Sequence, residues 1–191
     1  MNATRTGVAD ALGIVADENV ELIQRLRALG DAPMDGLASR MESARRVFVH
    51  GAGRSGLALR MVAMRLMHLG LKVHVVGEVT APAIGRGDLL LVASGSGRTP
   101  GVVRAAETAT DVGAQVAALT TAADSPLARL SSVVVLPAAH KTDRTATASV
   151  QYAGSLFEQG VLLVGDALFH LLWQRGGQTA DGLWHRHANL E

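Results

Sequence analysis

The chain has 191 residues, of which 48% are hydrophobic and 3% aromatic, with no cysteine and a formal net charge of +1 at pH 7. This length suits one domain with an ample core, and the lack of cysteine excludes disulfides, thiolate catalysis and cysteine-ligated metal. A nearly neutral chain with few aromatic residues lacks the positive electrostatic field and the aromatic stacking surface that nucleic-acid binding uses. No unbroken apolar run is as long as a membrane span, and no secretory signal is recognised, so we expect a cytoplasmic protein that binds neither nucleic acid nor membrane.

Two helices are predicted before the first strand. Residues 6–30 place apolar side chains at helical spacing with charges between them, typical of an amphipathic helix that needs a covering surface, and residues 34–43 indicate a shorter helix. Strand patterns then alternate with helical patterns, the strands at 46–50, 72–76, 88–93, 115–120 and 132–136 and the helices near 55–69, 100–112 and 125–130. This alternation predicts an α/β fold with a five-stranded parallel sheet.

The remainder of the chain is predicted to be a loop followed by helix. Residues 137–149 show no periodicity, a long apolar helix is predicted over 150–174, and a short tail covers 179–191. We therefore expect a single domain over 1–191, made of an N-terminal helical segment (1–43), a parallel α/β core (44–136), the loop (137–149) and C-terminal helices (150–191).

A glycine- and hydroxyl-rich turn follows the third strand. It consists of Ser94, Gly95, Ser96, Gly97, Arg98 and Thr99 and precedes a helix that begins at Pro100. Glycines allow close approach of the backbone, hydroxyls donate hydrogen bonds, and a helix N-terminus attracts anions, so the turn suits a phosphate. A serine-rich surface turn would have the same composition, and Thr99 is expected to cap the helix.

A second turn of this kind follows the first strand, over residues 51–56, and includes Gly53, Arg54 and Ser55. It fits the G-x-G-x-x-G pattern, and Glu78 lies after the next strand, where a ribose-binding acid is expected. A dinucleotide-binding oxidoreductase is therefore an alternative. Against it, Arg54 and Ser55 put a charge and a hydroxyl where that motif relies on bare backbone. Two anion-suited turns at the carboxyl edge of one sheet favour a phosphate ligand.

Glu158 is the best candidate for a general base, because it is a carboxylate within an apolar helical run. Desolvation disfavours the charged form of a carboxyl group, which suits acid–base work near neutral pH; a paired structural glutamate or a solvent-facing one is the alternative. Asp166, further along the same run, is expected to be a hydrogen-bonded core position. No metal-binding spacing is found, and the scattered histidines are expected to be packing or surface residues: His50, His68, His74, His140 and His170.

Several stretches, in matching order over nearly the whole chain, resemble the 6-phospho-3-hexuloisomerase family, whose members are small SIS (sugar isomerase) domain proteins. They are residues 51–56, 64–70, 75–78, 94–97, 154–159 and 186–191. The resemblance implies a three-layer, flavodoxin-like α/β/α sandwich. It also implies interconversion of D-arabino-hex-3-ulose 6-phosphate and D-fructose 6-phosphate, in the ribulose monophosphate route of formaldehyde fixation, without a cofactor.

The resemblance also implies roles for individual residues. Ser55 matches the family's phosphate-binding serine, the turn from Ser94 to Thr99 its second phosphate loop, and Glu158 its proton acceptor. His187 matches a histidine that often reaches a neighbouring subunit's site, which implies a homo-oligomer, a dimer or tetramer. Arg98 departs from the family, which commonly has glutamate there. The functional partner implied is 3-hexulose-6-phosphate synthase; another SIS-type isomerase and a non-catalytic sugar-phosphate sensor remain alternatives.

Overall fold

The computed structural model describes residues 7–138 and 149–190. In chain order its elements are α1 (Val8–Ala28), α2 (Ala32–Ser43), β1 (Val47–Gly51), α3 (Gly53–His68), β2 (Val73–Val75), β3 (Leu89–Ala93), α4 (Pro100–Asp111), β4 (Gln115–Thr120), α5 (Pro126–Arg129), β5 (Ser132–Val135), α6 (Ser155–Gly176) and α7 (Ala180–Trp184).

The five strands form one parallel sheet in the order β2-β1-β3-β4-β5, which confirms the predicted α/β fold. In the register of the sheet, Val47 of β1 lies opposite Val73 of β2 and Leu89 of β3. From β1 the chain moves outward to β2 and then returns to β3 on the other side. The gap between the carboxyl ends of β1 and β3 is therefore the point where open α/β sheets bind ligands.

Helices cover both faces of the sheet, because successive strand residues point to opposite sides. Val47 and Val49 pack with α1, α2, α3, α6 and α7, whereas Phe48 between them packs with α4 and α5. The same alternation holds in β3, where Leu89 and Leu91 face one layer and Leu90 the other. These two clusters are the cores of the three-layer α/β/α sandwich.

Two glycines let α6 lie close to its neighbours. A Cβ at Gly160 would lie 2.9 Å from Cδ2 of Leu22 in α1, and one at Gly165 would overlap the side chain of Val62 in α3. Among the described helices, α6 is the one long and apolar enough to cross a membrane. Core helices of soluble proteins often have the same length and composition, and 44% of the most apolar stretch of α6 is buried in this fold.

Three predictions in this region need revision or fall outside the described residues. Helix α6 begins at Ser155 rather than 150, because Ala153 has a positive φ of 55° and Gly154 precedes the helix in a non-helical conformation. Asp166 is exposed on α6, so the expected core position was wrong. The predicted loop over 137–149 lies largely in 139–148, outside the described residues.

The opposite edge of the sheet, where the strands begin, carries a buried carboxylate. Asp88 accepts hydrogen bonds from Arg46 (2.6 Å, Oδ2) and Arg45 (3.1 Å, Oδ1) and from the backbone N–H of Gly85 (2.9 Å). Its side chain is fully buried. Burial by itself would raise the pKa of this carboxyl, but the two guanidinium groups and the N–H donor hold it well below its usual range. These bonds fasten the residues before β1 to those before β3.

Candidate active site

A small cavity of about 130 Å³ lies at the carboxyl ends of β1 and β3, closed on one side by the first turn of α6. Three segments line it, and they are Ala52–Ser55, Ala93–Ser96 with Thr99, and Gly154 with Phe157 and Glu158. The fold therefore brings both predicted anion-suited turns and the predicted base into one site.

The first turn places the N-terminus of α3 directly above β1. A Cβ at Gly56 would overlap the carbonyl oxygen of Gly51, so only glycine allows the helix to lie this close to the strand. Helix α3 begins at Gly53, and its first N–H groups, those of Gly53, Arg54 and Ser55, have no intrahelical partner. These groups and the positive end of the helix dipole suit a bound anion.

The second turn is anchored to β4 and α5. Gly97 has a φ of 59°, and a Cβ there would overlap the hydroxyl of the buried Ser125. The carbonyl of Gly95 accepts hydrogen bonds from the hydroxyls of Thr120 (3.1 Å) and Thr121 (2.9 Å). Gly97 therefore shapes the turn rather than lining the cavity, and its neighbours are held in place for a ligand.

The hydroxyls of this turn have distinct positions. Ser94 is buried, and its Oγ lies 2.9 Å from Oγ1 of Thr99. Thr99 precedes α4 as predicted, but its hydroxyl bonds to Ser94 instead of capping the helix, so that part of the prediction was wrong. The half-buried Ser96 accepts a hydrogen bond from the N–H of Arg98 (3.3 Å). The hydroxyl of Ser96 can still donate to a ligand, since this bond uses only its acceptor capacity.

Glu158 faces both turns from α6. Its side chain is 20% exposed, and its carboxylate forms an ion pair with Arg54, whose side chain is 66% exposed. The N–H of Glu158 donates to the carbonyl of Gly154 (3.0 Å), within the first turn of the helix. The buried Phe157 beside it fixes this turn in the core. The candidate base and a largely exposed cation thus share the cavity.

Three of the predicted site residues do not line this cavity in the described part of the chain: Gly97, Arg98 and His187. The side chain of Arg98 is exposed. His187 stacks on His68, with 4.0 Å between ring centroids, and lies against Trp184 at 4.6 Å. Burial, with His187 and Arg65 nearby, lowers the pKa of His68.

Sequence reasoning missed four lining residues, which are Ala52, Ala93, Gly154 and Phe157. Ala52 and Ala93 follow directly from the strand ends and could have been found from the predicted turns. Gly154 lies one helical turn before Glu158, which would have indicated it if the start of α6 had been placed correctly.

Glu78, which the dinucleotide alternative requires, does not line this cavity. It accepts a hydrogen bond from Arg60 of α3 (3.0 Å) and lines a separate cavity of about 420 Å³ between α4 and the sheet. A ribose held there would be outside the site that the two turns and Glu158 form. Glu78 is therefore paired with Arg60 and is not among the residues that surround Glu158.

Comparison with known proteins identifies the family. A model of the SIS domain matches residues 40–162, which include both turns and Glu158. The chain belongs to the SIS domain family. This SIS-domain protein is 61% identical to a 3-hexulose-6-phosphate isomerase of Mycobacterium gastri over 156 residues, which is 81% of this chain and 78% of the relative. It is 36% identical to a 3-hexulose-6-phosphate isomerase of Bacillus subtilis (strain 168) over 93% of this chain and 97% of the relative.

A solved structure supports the same family. The crystal structure of a hypothetical protein from Methanococcus jannaschii, from which a molecular function of 3-hexulose-6-phosphate isomerase was inferred, superimposes with a TM-score of 0.81 at 28% identity. The superposition covers 95% of the SIS-domain protein and 99% of that chain. The similarity therefore extends through the helices on both sides of the sheet.

Proposed function

We propose that this SIS-domain protein is an isomerase that interconverts D-arabino-hex-3-ulose 6-phosphate and D-fructose 6-phosphate. The observation that carries the proposal is the carboxylate of Glu158, which faces two phosphate-suited turns across one small cavity. The names of the relatives from Mycobacterium gastri and Bacillus subtilis support this choice of substrate.

The phosphate end of the substrate would bind between the two turns. The N–H groups at the start of α3 and the hydroxyls of Ser55, Ser94, Ser96 and Thr99 supply donors to its oxygens. Because the phosphate takes no part in the reaction, its binding energy can hold the sugar carbons against Glu158.

The reaction moves a carbonyl group from C3 to C2. Glu158 removes the proton from C2, a cis-enediol forms over C2 and C3, and the same carboxyl returns a proton to C3. The proton of the C2 hydroxyl leaves as the new carbonyl forms, and O3 gains one. Positioned acid–base catalysis of this kind contributes ~10²–10⁴-fold. The isomerisation involves no net oxidation and a carboxylate carries the proton, so we expect activity to require no nicotinamide and to survive treatment with EDTA.

Arg54 connects the two halves of the site. Without substrate its guanidinium forms an ion pair with Glu158, so the carboxylate is held by a cation. A phosphate dianion in the same cavity is a stronger partner for this exposed cation. Substrate binding would then draw Arg54 onto the phosphate and leave the carboxylate of Glu158 free to accept a proton.

His187 would act in the site of a neighbouring subunit. It stacks on His68, the last residue of α3, whereas Gly53 at the first position of that helix lines the cavity. A helix of 16 residues is about 24 Å long. The histidine of one chain is therefore too far from its own Glu158, and a second copy would have to supply the group that handles the hydroxyl protons.

A homo-oligomer, a dimer or a tetramer built from dimers, is consistent with the surface of the chain. Large apolar side chains are exposed along α1 and in a stripe on α3, and they are Val8, Leu12, Val20, Leu57, Met61 and Met64. The stripe on α3 begins next to the candidate active site. Exposed apolar side chains that lie together are typical of interfaces, and a two-fold contact there would bring two sites close together.

The proposed reaction sets the metabolic context. The substrate would be supplied by 3-hexulose-6-phosphate synthase, and the isomerase would catalyse the second step of the ribulose monophosphate route in the cytoplasm. Binding of a soluble sugar phosphate requires neither a membrane nor nucleic acid.

The deciding experiment is an assay of the purified protein with fructose 6-phosphate, with ribulose 5-phosphate and arabinose 5-phosphate as controls. We expect conversion of fructose 6-phosphate to the 3-ketose and little turnover of the two pentose phosphates. Turnover of a pentose phosphate alone would indicate another SIS-type isomerase. Tight binding of all three without turnover would indicate a sugar-phosphate sensor.

A further inference from the structure

A polar cluster joins α1 to the residues that lead into α6. The carboxylate of Glu18 accepts hydrogen bonds from the N–H of Val150 (2.6 Å), the hydroxyl of Ser149 (2.7 Å) and the side-chain amide of Gln151 (2.8 Å). Three donors from consecutive residues thus meet one carboxylate. Burial opposes the charged form of this carboxyl, but these donors lower its pKa, so it is ionised at neutral pH and offers only acceptors.

The cluster continues to the residue that follows the candidate base. The side-chain amides of Gln151 and Gln159 exchange two hydrogen bonds, of 2.8 and 3.2 Å. Asn19, next to Glu18 on α1, donates to Gln159 (2.8 Å). Helix α1 therefore holds both the segment before α6 and the first turn of α6 itself.

The segment between these contacts has an unfavourable backbone conformation. Ala153 has a φ of 55°, which a residue with a side chain seldom adopts, and the next residue, Gly154, lines the active-site cavity. Such a conformation persists only when surrounding contacts determine it, and it is typical of functional sites. Here the hydrogen bonds to Glu18 hold the residues just before Ala153, and Ser155 donates to the carbonyl of Tyr152 across the turn that contains it.

We propose that Glu18 is a positioning residue for the reaction: by holding residues 149–154 it sets the orientation of the first turn of α6 and hence of Glu158. The proposal rests on the proposed function only for its kinetic consequence. The hydrogen bonds from residues 149–151 to Glu18, called the clamp below, are a property of the folded chain and can be measured without substrate.

The first test measures the clamp by amide hydrogen exchange in the substrate-free protein. In the variant Glu18→Gln, the peptide that covers 149–154 should exchange roughly 10-fold faster, because the charge and one of the two acceptor oxygens are lost and the new amide group cannot accept from the donors of residues 149–151. Peptides that cover the two phosphate turns, residues 51–56 and 94–99, should be unchanged. The matched control is Glu21→Gln on the same helix, where Glu21 is exposed and pairs with Arg25.

The second test measures turnover. We expect Glu18→Gln to lower kcat about 10-fold or more, since a small displacement of a base is costly, with KM changed less than about 2-fold because the phosphate turns are intact. Adding Ala153→Gly should restore part of the lost kcat, since glycine adopts a positive φ without strain. If Glu18 only stabilised the fold, its replacement would lower the melting temperature and leave kcat unchanged at temperatures below the transition.

The outcomes distinguish the clamp, the positioning role of Glu18 and the proposed function. Unchanged exchange in 149–154 would overturn the clamp, whatever the activity. Faster exchange with unchanged kcat would overturn the positioning role. Faster exchange in a protein whose parent does not turn over fructose 6-phosphate would support the clamp and contradict the proposed function.

Discussion

Glu158 is the side chain on which the proposed proton transfer depends. Replacing it with glutamine keeps the size of the side chain and removes the base, so we expect Glu158→Gln to lower kcat by about 10³-fold or more with little change in substrate binding. The matched control is Asp166→Asn, an exposed carboxylate two turns along the same helix. Turnover near that of the parent in a folded Glu158→Gln protein would contradict the mechanism.

The hydroxyls of the two turns should determine phosphate affinity. Ser55→Ala and Ser96→Ala each remove one donor to an anion, which corresponds to roughly 1.5–3 kcal/mol of binding free energy. We therefore expect KM for the sugar phosphate and the inhibition constant of inorganic phosphate to rise together. Ser43→Ala, on the exposed surface of α2, serves as the control. If both constants stay at the parent values, the phosphate lies elsewhere.

Arg54 and Arg98 provide a matched pair of cations beside the same site. Arg54 lines the cavity and pairs with Glu158, whereas Arg98 is exposed and does not line the cavity. Loss of a charge-assisted bond to phosphate should raise KM by about 10-fold in Arg54→Met. Arg98→Met should leave KM unchanged. Equal effects of the two substitutions would show that the positive charge acts at long range and that Arg54 makes no specific contact.

Residue types alone indicated the two turns and Glu158, because glycines and hydroxyls between a strand end and a helix N-terminus suit an anion. The two turns and Glu158 indeed meet in one cavity. The ion pair between Arg54 and Glu158 could not be predicted, since 104 positions separate the residues in the chain. The displacement of Gly97 and Arg98 from the cavity follows from a positive φ that fits the turn to Ser125, a contact that is not visible in sequence.

At the level of elements, short apolar runs predicted all five strands within a few residues, and the three central strands, β1, β3 and β4, are buried on both faces. The order of the strands was not predicted, since it depends on where each crossover packs. The start of α6 was placed too early because residues 150–153 contain neither glycine nor proline to mark a helix end. Hydrogen bonds to Glu18 hold the start of this segment outside the helix. These bonds join residues more than 130 positions apart in the chain.

The buried carboxylate of Asp88 fastens the amino edge of the sheet, and its effect should be visible in stability. Asp88→Asn removes the buried anion that Arg45 and Arg46 share; since the side chains of these two cations are 60% and 20% exposed and keep part of their hydration, we expect a cost of about 1.5–3 kcal/mol, that of lost hydrogen bonds to a charged group. We expect a corresponding decrease in the free energy of unfolding measured with urea, with kcat below the transition little affected because the cluster lies at the edge opposite the active site.

The same carboxylate predicts a dependence of stability on pH. Its pKa is lowered in the folded protein, so its contribution is fully present above the pKa of the unfolded chain and decreases as the pH falls below about 5. Urea unfolding of the parent should therefore show decreasing stability from about pH 5 downward, and Asp88→Asn should show a weaker decrease over that range. Identical slopes for parent and variant would show that other carboxylates dominate acid unfolding.

For the whole molecule, the exposed apolar residues of α1 and α3 and the distance of His187 from its own cavity favour the same conclusion. A monomer would expose the stripe on α3 beside its active site, and no histidine of the described residues lines that site. In a two-fold assembly one contact can cover the stripe and bring the tail of each chain toward the site of the other.

Mixing two inactive variants tests whether the site is shared between subunits. Glu158→Gln lacks the base and His187→Ala lacks the tail histidine, so each homo-oligomer should be inactive or nearly so. Under conditions that exchange subunits, some sites in the mixture combine the intact Glu158 of one chain with the intact His187 of another. Random exchange in a dimer would give half of the molecules as hetero-dimers with one complete site each, so recovery should approach about a quarter of the parent activity.

The control mixes Glu158→Gln with the double variant Glu158→Gln/His187→Ala, which can form no complete site. No recovery despite proven exchange, or full activity in a protein that sediments as a monomer, would show that each chain completes its own site.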